Sequence, residues 1–307
     1  MPRFSIVIPC YNAANTLVKT LDSIQAQTFS DWEIICVDDG STDLTTDLIA
    51  DAAKRDNRIK LAYNLRKGPS EARNLGAQHL SSGDIIAFCD ADDIWAPEKL
   101  ADLAGAFDDT KTHGAFGKIA FFVSDPQTAR VFSTVPTGPL SIDRLLGENP
   151  VCTMSNLSIR KTCFVQTGGF DPSIVHNEDL EWLIRVVGQG MQIIGLDTFH
   201  TWYRTNPTGL SADLGAMQAG RRRALDTAKN LGFSATKRSQ AVHLRYLARR
   251  ALRLGLARRV AFGFAIAGLL QSPSGFLTPP RRGALTFIGA LGNLVLPRRL
   301  SHALFSQ

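Results

Sequence analysis

The chain has 307 residues, 44% hydrophobic and 20% charged, which excludes intrinsic disorder and leaves room for one large domain or a domain with an appendage. Its net charge of +6 conceals an asymmetry: 18 Lys+Arg stand against 26 Asp+Glu through Ala212, and 16 against 2 from Asp213 onward. An acidic part able to hold a cation is joined to a basic part suited to anionic lipid or nucleic acid, and five cysteines without C-x-x-C spacing argue against a disulfide framework and for a reducing compartment.

Phe4–Pro9 is a short apolar, β-branched run closed by proline and reads as a strand. Asn15 can cap a helix from Thr16 to about Gln27, with Leu17, Leu21 and Ile24 on one face. Glu33–Val37 is a second strand, ending at Asp38-Asp39-Gly40-Ser41, and a helix over Leu44–Lys54 follows. Ile59–Tyr63, a helix over Ser70–His79, and the strand Ile85–Cys89 continue the alternation to Asp90. Pro97 then starts a helix carrying Leu100, Leu103 and Phe107. Strand and helix alternating at this spacing predict an α/β fold with a mostly parallel, doubly wound sheet. Further on, Ala115–Val123, Arg130–Val135 and Ser155–Arg160 read as strands. Gly168-Gly169 ends a short helix, Asn177–Val187 reads as a helix, and Gln192–Gly195 and Thr201–Arg204 read as two short strands.

From about Asp213 the texture changes to Ala, Leu and Arg with helical periodicity, which divides the chain at 1–212 and 213–307. Arg245, Arg249 and Arg253 share one helix face, and Leu244, Leu247, Ala251 and Leu254 another. The apolar runs Val260–Leu270 and Ala284–Leu296 are each shorter than the roughly 20 residues that span a bilayer. The N-terminus turns polar too soon for a signal peptide, so the first part is expected to face the cytoplasm.

In an open α/β sheet, ligands bind beyond the carboxyl ends of the strands. Three such ends carry polar clusters here: Pro9-Cys10-Tyr11-Asn12, Asp38-Asp39-Gly40-Ser41 and Asp90-Ala91-Asp92-Asp93. Two carboxylates separated by one residue can share a hard cation, and Mg²⁺ is often held by one or two carboxylates together with substrate phosphates. Loop carboxylates, or caps for the helix after Pro97, are the competing explanation.

The segments V-I-P-C-Y-N, V-D-D-G-S-T-D, A-R-N-L-G and C-D-A-D-D occur in this order, followed by G-G-F-D-P at Gly168–Pro172 and N-E-D-L-E-W-L-I-R at Asn177–Arg185. Together they resemble the family 2 glycosyltransferases, over about the first two thirds of the chain. The resemblance implies a GT-A-type, Rossmann-like fold and an inverting transfer from a nucleotide-sugar, UDP-linked in the commonest case. It places Pro9 and Tyr11 along the nucleobase and ribose, Asp39 on the base, Arg73 near the nucleotide and Asp90 at the ribose or metal. Asp92 becomes the direct ligand of Mg²⁺ or Mn²⁺, and Asp93 a secondary acid or a helix cap.

Direct displacement at a sugar needs a carboxylate on the acceptor side to take the hydroxyl proton. The E-D motif, Glu178-Asp179, supplies Asp179 as that base and Glu178 beside it. The alternative is a pair of acids stabilising a helix N-terminus. Trp182, one turn on, can stack on an acceptor sugar or fill the core. No Q-x-x-R-W follows, which argues for transfer of a single sugar. Tyr203-Arg204 resembles the family's closing strand, but Thr205-Asn206-Pro207 stand where a metal-binding His often follows, and His200 is not assigned to metal.

The resemblance implies a glycan or lipid-linked acceptor in the synthesis of a surface polysaccharide or glycolipid. For the basic extension two explanations stand: a helical appendage lying on the anionic inner face of the cell membrane, or a subdomain with a solvated basic face. Nucleic acid is not expected as a partner, because aromatic residues are few and no binding motif is present. A non-catalytic or non-glycosyl nucleotide-binding α/β protein docked on the membrane is the alternative to the enzyme. It predicts loss of a key acid, and all are present.

Overall fold

The computed structural model describes residues 2–205 and 213–297 together with Leu300 and Leu304. In chain order the elements are β1 (Phe4–Cys10), α1 (Leu17–Gln25), β2 (Trp32–Asp38), α2 (Thr45–Arg55), β3 (Ile59–Tyr63) and α3 (Pro69–Asn74). A wider π-helical turn, Leu75–Leu80, extends α3. Then come β4 (Ile85–Phe88), β5 (Ile94–Trp95), α4 (Lys99–Ala106), β6 (Gly114–Phe122), β7 (Val131–Phe132), α5 (Ile142–Gly147), β8 (Leu157–Arg160), α6 (Lys161–Gln166), α7 (Glu178–Gly188) and β9 (Ile193–Arg204). The remainder is helical: α8 (Leu214–Asn230), α9 (Lys237–Arg253), α10 (Arg258–Gln271), α11 (Pro273–Phe276) and α12 (Pro280–Val295).

The chain forms two compact units. One comprises Met1–Leu140 and Pro150–Asn206, the other Ser141–Asn149 and Pro207–Gln307. Ser141–Asn149, which the sequence reading placed in the first part, therefore belongs with the C-terminal helices. The boundary predicted after Ala212 adjoins 206–212, which lie outside the described residues.

In the first unit the strands run in the order β3-β2-β1-β4-β8-β6-β9-β5, with β7 paired to β6. The sheet begins as predicted, β1 parallel to β2 and β4, and β2 parallel to β3. The expectation of a mostly parallel sheet needs correction. β8 is antiparallel to both β4 and β6, β5 to β9, and β7 to β6, while β6 and β9 are parallel. The sheet is mixed because β8 enters between β4 and β6 against both neighbours. Hydrophobic periodicity reports burial, not strand direction. The two short strands predicted over 192–204 are one bulged strand, β9, whose register against β6 slips around Lys118.

Alternation along β1 and β2 sends Phe4, Ile6, Ile8, Ile34 and Cys36 to the face covered by α1, α2 and α4. Ile35 and Val37 go to the other face, against Ala72 and Leu75. Covering both faces explains why these strands read as unbroken apolar runs. Phe88 of β4 meets Phe164, Phe170 and Trp182 in an aromatic cluster of edge-to-face and tilted rings with centroids 4.9 to 6.4 Å apart. Gly168 and Gly169 both take positive φ, 77° and 71°, and so end α6 as the sequence predicted.

The second unit is all helix. Asp213, Ser141 and Thr236 cap α8, α5 and α9 by accepting from Ala216, Arg144 and Ser239 backbone N–H groups. Its core is small and aliphatic: Ala241, Ala248, Ala251, Leu252, Ala261 and Ala265 around Phe276. The arginine stripe on α9 is not a uniformly solvated face. Arg245 is 1% exposed, donates to the Phe276 and Thr278 carbonyls and faces Glu148 at 3.5 Å. Arg253 is exposed and Arg249 half-buried. No helix among the described residues is long and apolar enough to cross a membrane.

Candidate active site

The ends of β1 and β2 are tied together: the Asp39 N–H donates to the Cys10 carbonyl at 2.8 Å, and Asn12 Oδ1 accepts from Thr42 N at 2.8 Å. Asn12 takes a left-handed φ of 48° to make this turn. Pro9 is half-buried at the last turn of β1, and the Tyr11 ring stands 58% exposed beside it. The Asp39 carboxylate accepts from Asn64 Nδ2 at 2.6 Å and from Gly68 N at 2.9 and 3.0 Å. These two donors, the Gly68 N–H shared between both oxygens, fix its orientation and leave carboxylate lone-pair sites for a further donor. Neither Asn64 nor Gly68 stood out in the sequence, because a donor on a loop 25 residues away carries no local pattern.

Arg73 lies at the centre of the site. It is 6% exposed, presented from α3, and its guanidinium meets two carboxylates from distant parts of the chain. Nη2 donates to Asp90 Oδ1 at 2.6 Å and Nη1 to Glu178 Oε1 at 3.3 Å. Burial works against its charge, but Asp90, Glu178 and Asp179 outweigh that and raise its pKa above the ordinary value. Arg73 thus connects the end of β4 to the start of α7. Asp90 is further held by Thr153 Oγ1, which donates to Oδ2 at 3.3 Å, while the Asp90 N–H donates to Ser155 Oγ at 2.8 Å.

Asp92 is half-buried. Burial, with the Asp90 charge close by, pushes its carboxyl up to about 6, offset in part by Arg204. Asp90 and Asp92 thus offer carboxylate oxygens from one turn, and hard oxygen donors fit Mg²⁺ or Mn²⁺. Among the described residues no group of three His, Cys, Asp or Glu side chains converges as a cation cage. Asp90 and Asp92 are the two carboxylates of this turn that could hold such a cation.

Asp93 is fully buried. It does not cap α4, whose N-cap is Glu98. Instead its Oδ1 accepts from the Arg204 N–H at 2.8 Å, while Arg204 Nε donates to the Asp92 carbonyl at 3.0 Å. Arg204, at the end of β9, therefore grips the Asp90–Asp93 turn from both sides. Burial pushes the Asp93 carboxyl well up, with Asp90 and Asp92 adding to it. Beneath the turn Lys99 is completely buried. Its Nζ donates to the Ser155 carbonyl at 2.5 Å and to Thr201 Oγ1 at 3.2 Å, and burial lowers it to about 7. Of these supports, Arg204 was the findable one, since Tyr203-Arg204 already marked the closing strand.

At the start of α7, Asn177 takes φ 61° and delivers Glu178 and Asp179 into the first turn, where the helix dipole favours acids. Burial and the neighbouring Asp179 raise Glu178 to about 7. Burial likewise raises Asp179, whose Oδ1 accepts from Leu180 N at 2.8 Å. Trp182 does not join them. It is 0% exposed, packed in the aromatic cluster, and its Nε1 donates to Thr167 Oγ1 at 3.0 Å. With no face open, it cannot stack on an acceptor, and that expectation is corrected: Trp182 lies on the inward side of α7 with Leu183 and Val186. His200 is also buried, its Nε2 3.2 Å from Asp102 Oδ2.

A half-parallel sheet with polar clusters at the ends of β1, β2 and β4, an acidic turn after β4 and an E-D helix opposite it defines the GT-A class of nucleotide-sugar folds. The Glycosyl transferase family 2 profile matches residues 5–166, and the chain belongs to that family. Among solved structures it is similar to the mannosyltransferase PcManGT from Pyrobaculum calidifontis in complex with GDP-Man and Mn²⁺ (TM-score 0.61, 20% identity, 99% of this chain and 87% of that one). It is also similar to S. aureus TarS 1–349 in complex with UDP-GlcNAc (TM-score 0.56, 18% identity, 98% and 83%).

Among curated proteins, an uncharacterized glycosyltransferase, alr2836 of Nostoc sp., is 34% identical over 133 residues, 43% of this chain and 41% of that protein. The Escherichia coli UDP-Glc:alpha-D-GlcNAc-diphosphoundecaprenol beta-1,3-glucosyltransferase WfaP is 27% identical over 215 residues, 69% of this chain and 81% of that protein. The chain spans less than half the length of the first relatives it matches, 41% for the Nostoc protein and 16% for one from Rickettsia conorii.

Proposed function

We propose that this chain transfers a single sugar, with inversion, from a UDP-sugar to a hydroxyl of a lipid-linked or glycan acceptor in surface-polysaccharide or glycolipid synthesis. One observation carries the reading: Arg73 binds Asp90 and Glu178 together. The donor-side acids and the acceptor-side acids thereby stand on either side of one buried cation. The E. coli relative that acts on a diphosphoundecaprenol-linked sugar supports the acceptor class.

In this reading Pro9 and Tyr11 line the nucleobase and ribose, and Asp39, oriented by Asn64 and Gly68, accepts from the base. Arg73 holds Asp90 toward the ribose and cation, and Asp92 is the direct cation ligand. A bound Mg²⁺ or Mn²⁺ supplies Lewis-acid neutralisation of the leaving diphosphate. Asp179 takes the acceptor hydroxyl proton as the new glycosidic bond forms and the bond to diphosphate breaks. Its raised pKa suits a base. Glu178 is kept beside it by Arg73, close to the acceptor. Arg204 positions Asp92.

The test is nucleotide release by purified protein with UDP-, GDP- and dTDP-sugars and a prenyl-diphosphate-linked acceptor, with and without Mn²⁺. Turnover with a UDP-sugar that needs the cation is expected. Asp179→Asn should lose about 10²- to 10⁴-fold in turnover while retaining UDP binding. If no donor is bound or consumed, and Asp92→Asn changes nothing, the transferase reading fails.

A further inference from the structure

Helix α12 is built inside out. Its fully buried positions are Gly283, Thr286, Gly289, Ala290 and Asn293, all small or polar, with Phe287 packed half-buried against the core beside them. Its outward face carries Leu285, Ile288, Leu291 and Val295, which are 59%, 63%, 47% and 80% exposed. At 100° per residue these four fall within about a third of the helix circumference. A helix that faces water on its outer side shows the opposite pattern, with the large aliphatic stripe turned inward. Helix α10, which packs on α12, repeats the arrangement on a smaller scale. Ala261, Ala265 and Gly268 are buried, while Val260 and Leu270 are 36% and 81% exposed.

Charge selects what covers this face. Arg281 is exposed at the N-terminal end of α12, and Arg259 at that of α10. From Thr227 to Gln307 the sequence contains 13 Lys+Arg and no Asp or Glu. Two copies brought together through such a surface would repel. Glu148 pairs with Arg245 and Arg282, and the α12 stripe itself carries no acid. An apolar stripe with exposed arginines at its end complements an anionic lipid surface, where aliphatic side chains enter the headgroup–acyl boundary and arginines meet phosphates. Since neither helix is long and apolar enough to cross a membrane, the contact is with one leaflet.

We infer that the Leu285–Ile288–Leu291–Val295 face of α12, with Arg281 at its end, is the surface by which this protein lies on an anionic bilayer. The inference stands apart from the transfer chemistry: donor binding and lipid binding are read by separate measurements.

The test uses the full chain in vesicle flotation, on phosphatidylcholine alone and on phosphatidylcholine with phosphatidylglycerol at about three to one. The protein should float with the anionic vesicles, about tenfold or more less with the neutral ones, and less as salt rises. Leu285→Gln/Ile288→Gln keeps the charge and replaces only exposed side chains, so its melting curve should match the parent while anionic-vesicle binding falls by about tenfold or more. Arg281→Gln should weaken binding less and flatten its salt dependence. Three results would each overturn the inference: no flotation of the parent, equal flotation of parent and double variant, or a concentration-dependent dimer in sedimentation that the double variant abolishes.

Discussion

At the scale of single residues, the most consequential side chains are charges without water. Arg73 is the clearest. Replacing it with Ala leaves the half-buried Asp90 and Glu178 without their cation; breaking a fully buried pair costs about 3–5 kcal/mol, and this one should cost less. Denaturant unfolding should show that loss, with Arg73→Lys intermediate because one ammonium cannot fork between two carboxylates.

Glu33 is the counterpart away from the site. It is 4% exposed and accepts from Ser5 Oγ, Ser82 N and Oγ, and Lys60 Nζ at 2.6 to 2.8 Å. Burial pushes its carboxyl up, but these donors outweigh that and bring it from 4.5 down to about 2. A folded pKa below the unfolded one means stabilisation that is complete above pH 4.5 and lost as pH falls through about 2. Glu33→Gln should therefore cost about 2–3 kcal/mol at neutral pH, and the gap to the parent should close across that acid window in thermal melts.

Residue identity alone could not reveal either network, since the partners of Arg73 lie 17 and 105 positions away. Trp182 was open for a related reason: the helical pattern of α7 admits an inward Trp as readily as one at the helix edge. Trp182→Ala should cost about 3–5 kcal/mol in unfolding.

Individual elements were more legible. Six of the early ones, β1 to α3, appear where their periodicity put them, within a few residues. Misreadings concentrate where chain direction or a bulge decides. The interruption around Asp197–Thr198 made β9 look like two strands, whereas the slip against β6 absorbs it. That continuity matters, because it carries Arg204 to the Asp90–Asp93 turn. Arg204→Ala should leave the melting curve of the first unit close to the parent. It should lower cation-dependent turnover about 10- to 100-fold, the usual effect of removing a group that orients a ligand. Arg204→Lys should recover part of it, and a loss confined to KM for the acceptor would argue against the assignment.

At the scale of the whole molecule, composition was the most informative signal. The change of texture near Asp213 separates a mixed α/β unit from a helical one. The sequence division at 212/213 falls six residues past the one between the units, and it misassigned the short α5, because a six-residue helix carries too little pattern to show which core it joins. Two cores of different character need not melt together. UDP with Mn²⁺ at about a hundred times its Kd should raise the stability of the first unit by about 2.7 kcal/mol. The second transition in a calorimetric scan should stay in place, and a single transition moving as one would show the units to be cooperative.

Arg73 has one more consequence at this scale. Its single positive charge is divided between two claimants, so the acidity at position 178 depends on what happens at position 90. Asp90→Asn removes one claimant and one repelling charge, and both effects lower Glu178 from its value of about 7. By reciprocity, protonating Glu178 tightens the hold of Arg73 on Asp90. The two halves of the site are thermodynamically linked through a guanidinium, so a proton gained on one side is felt on the other without any movement of the backbone.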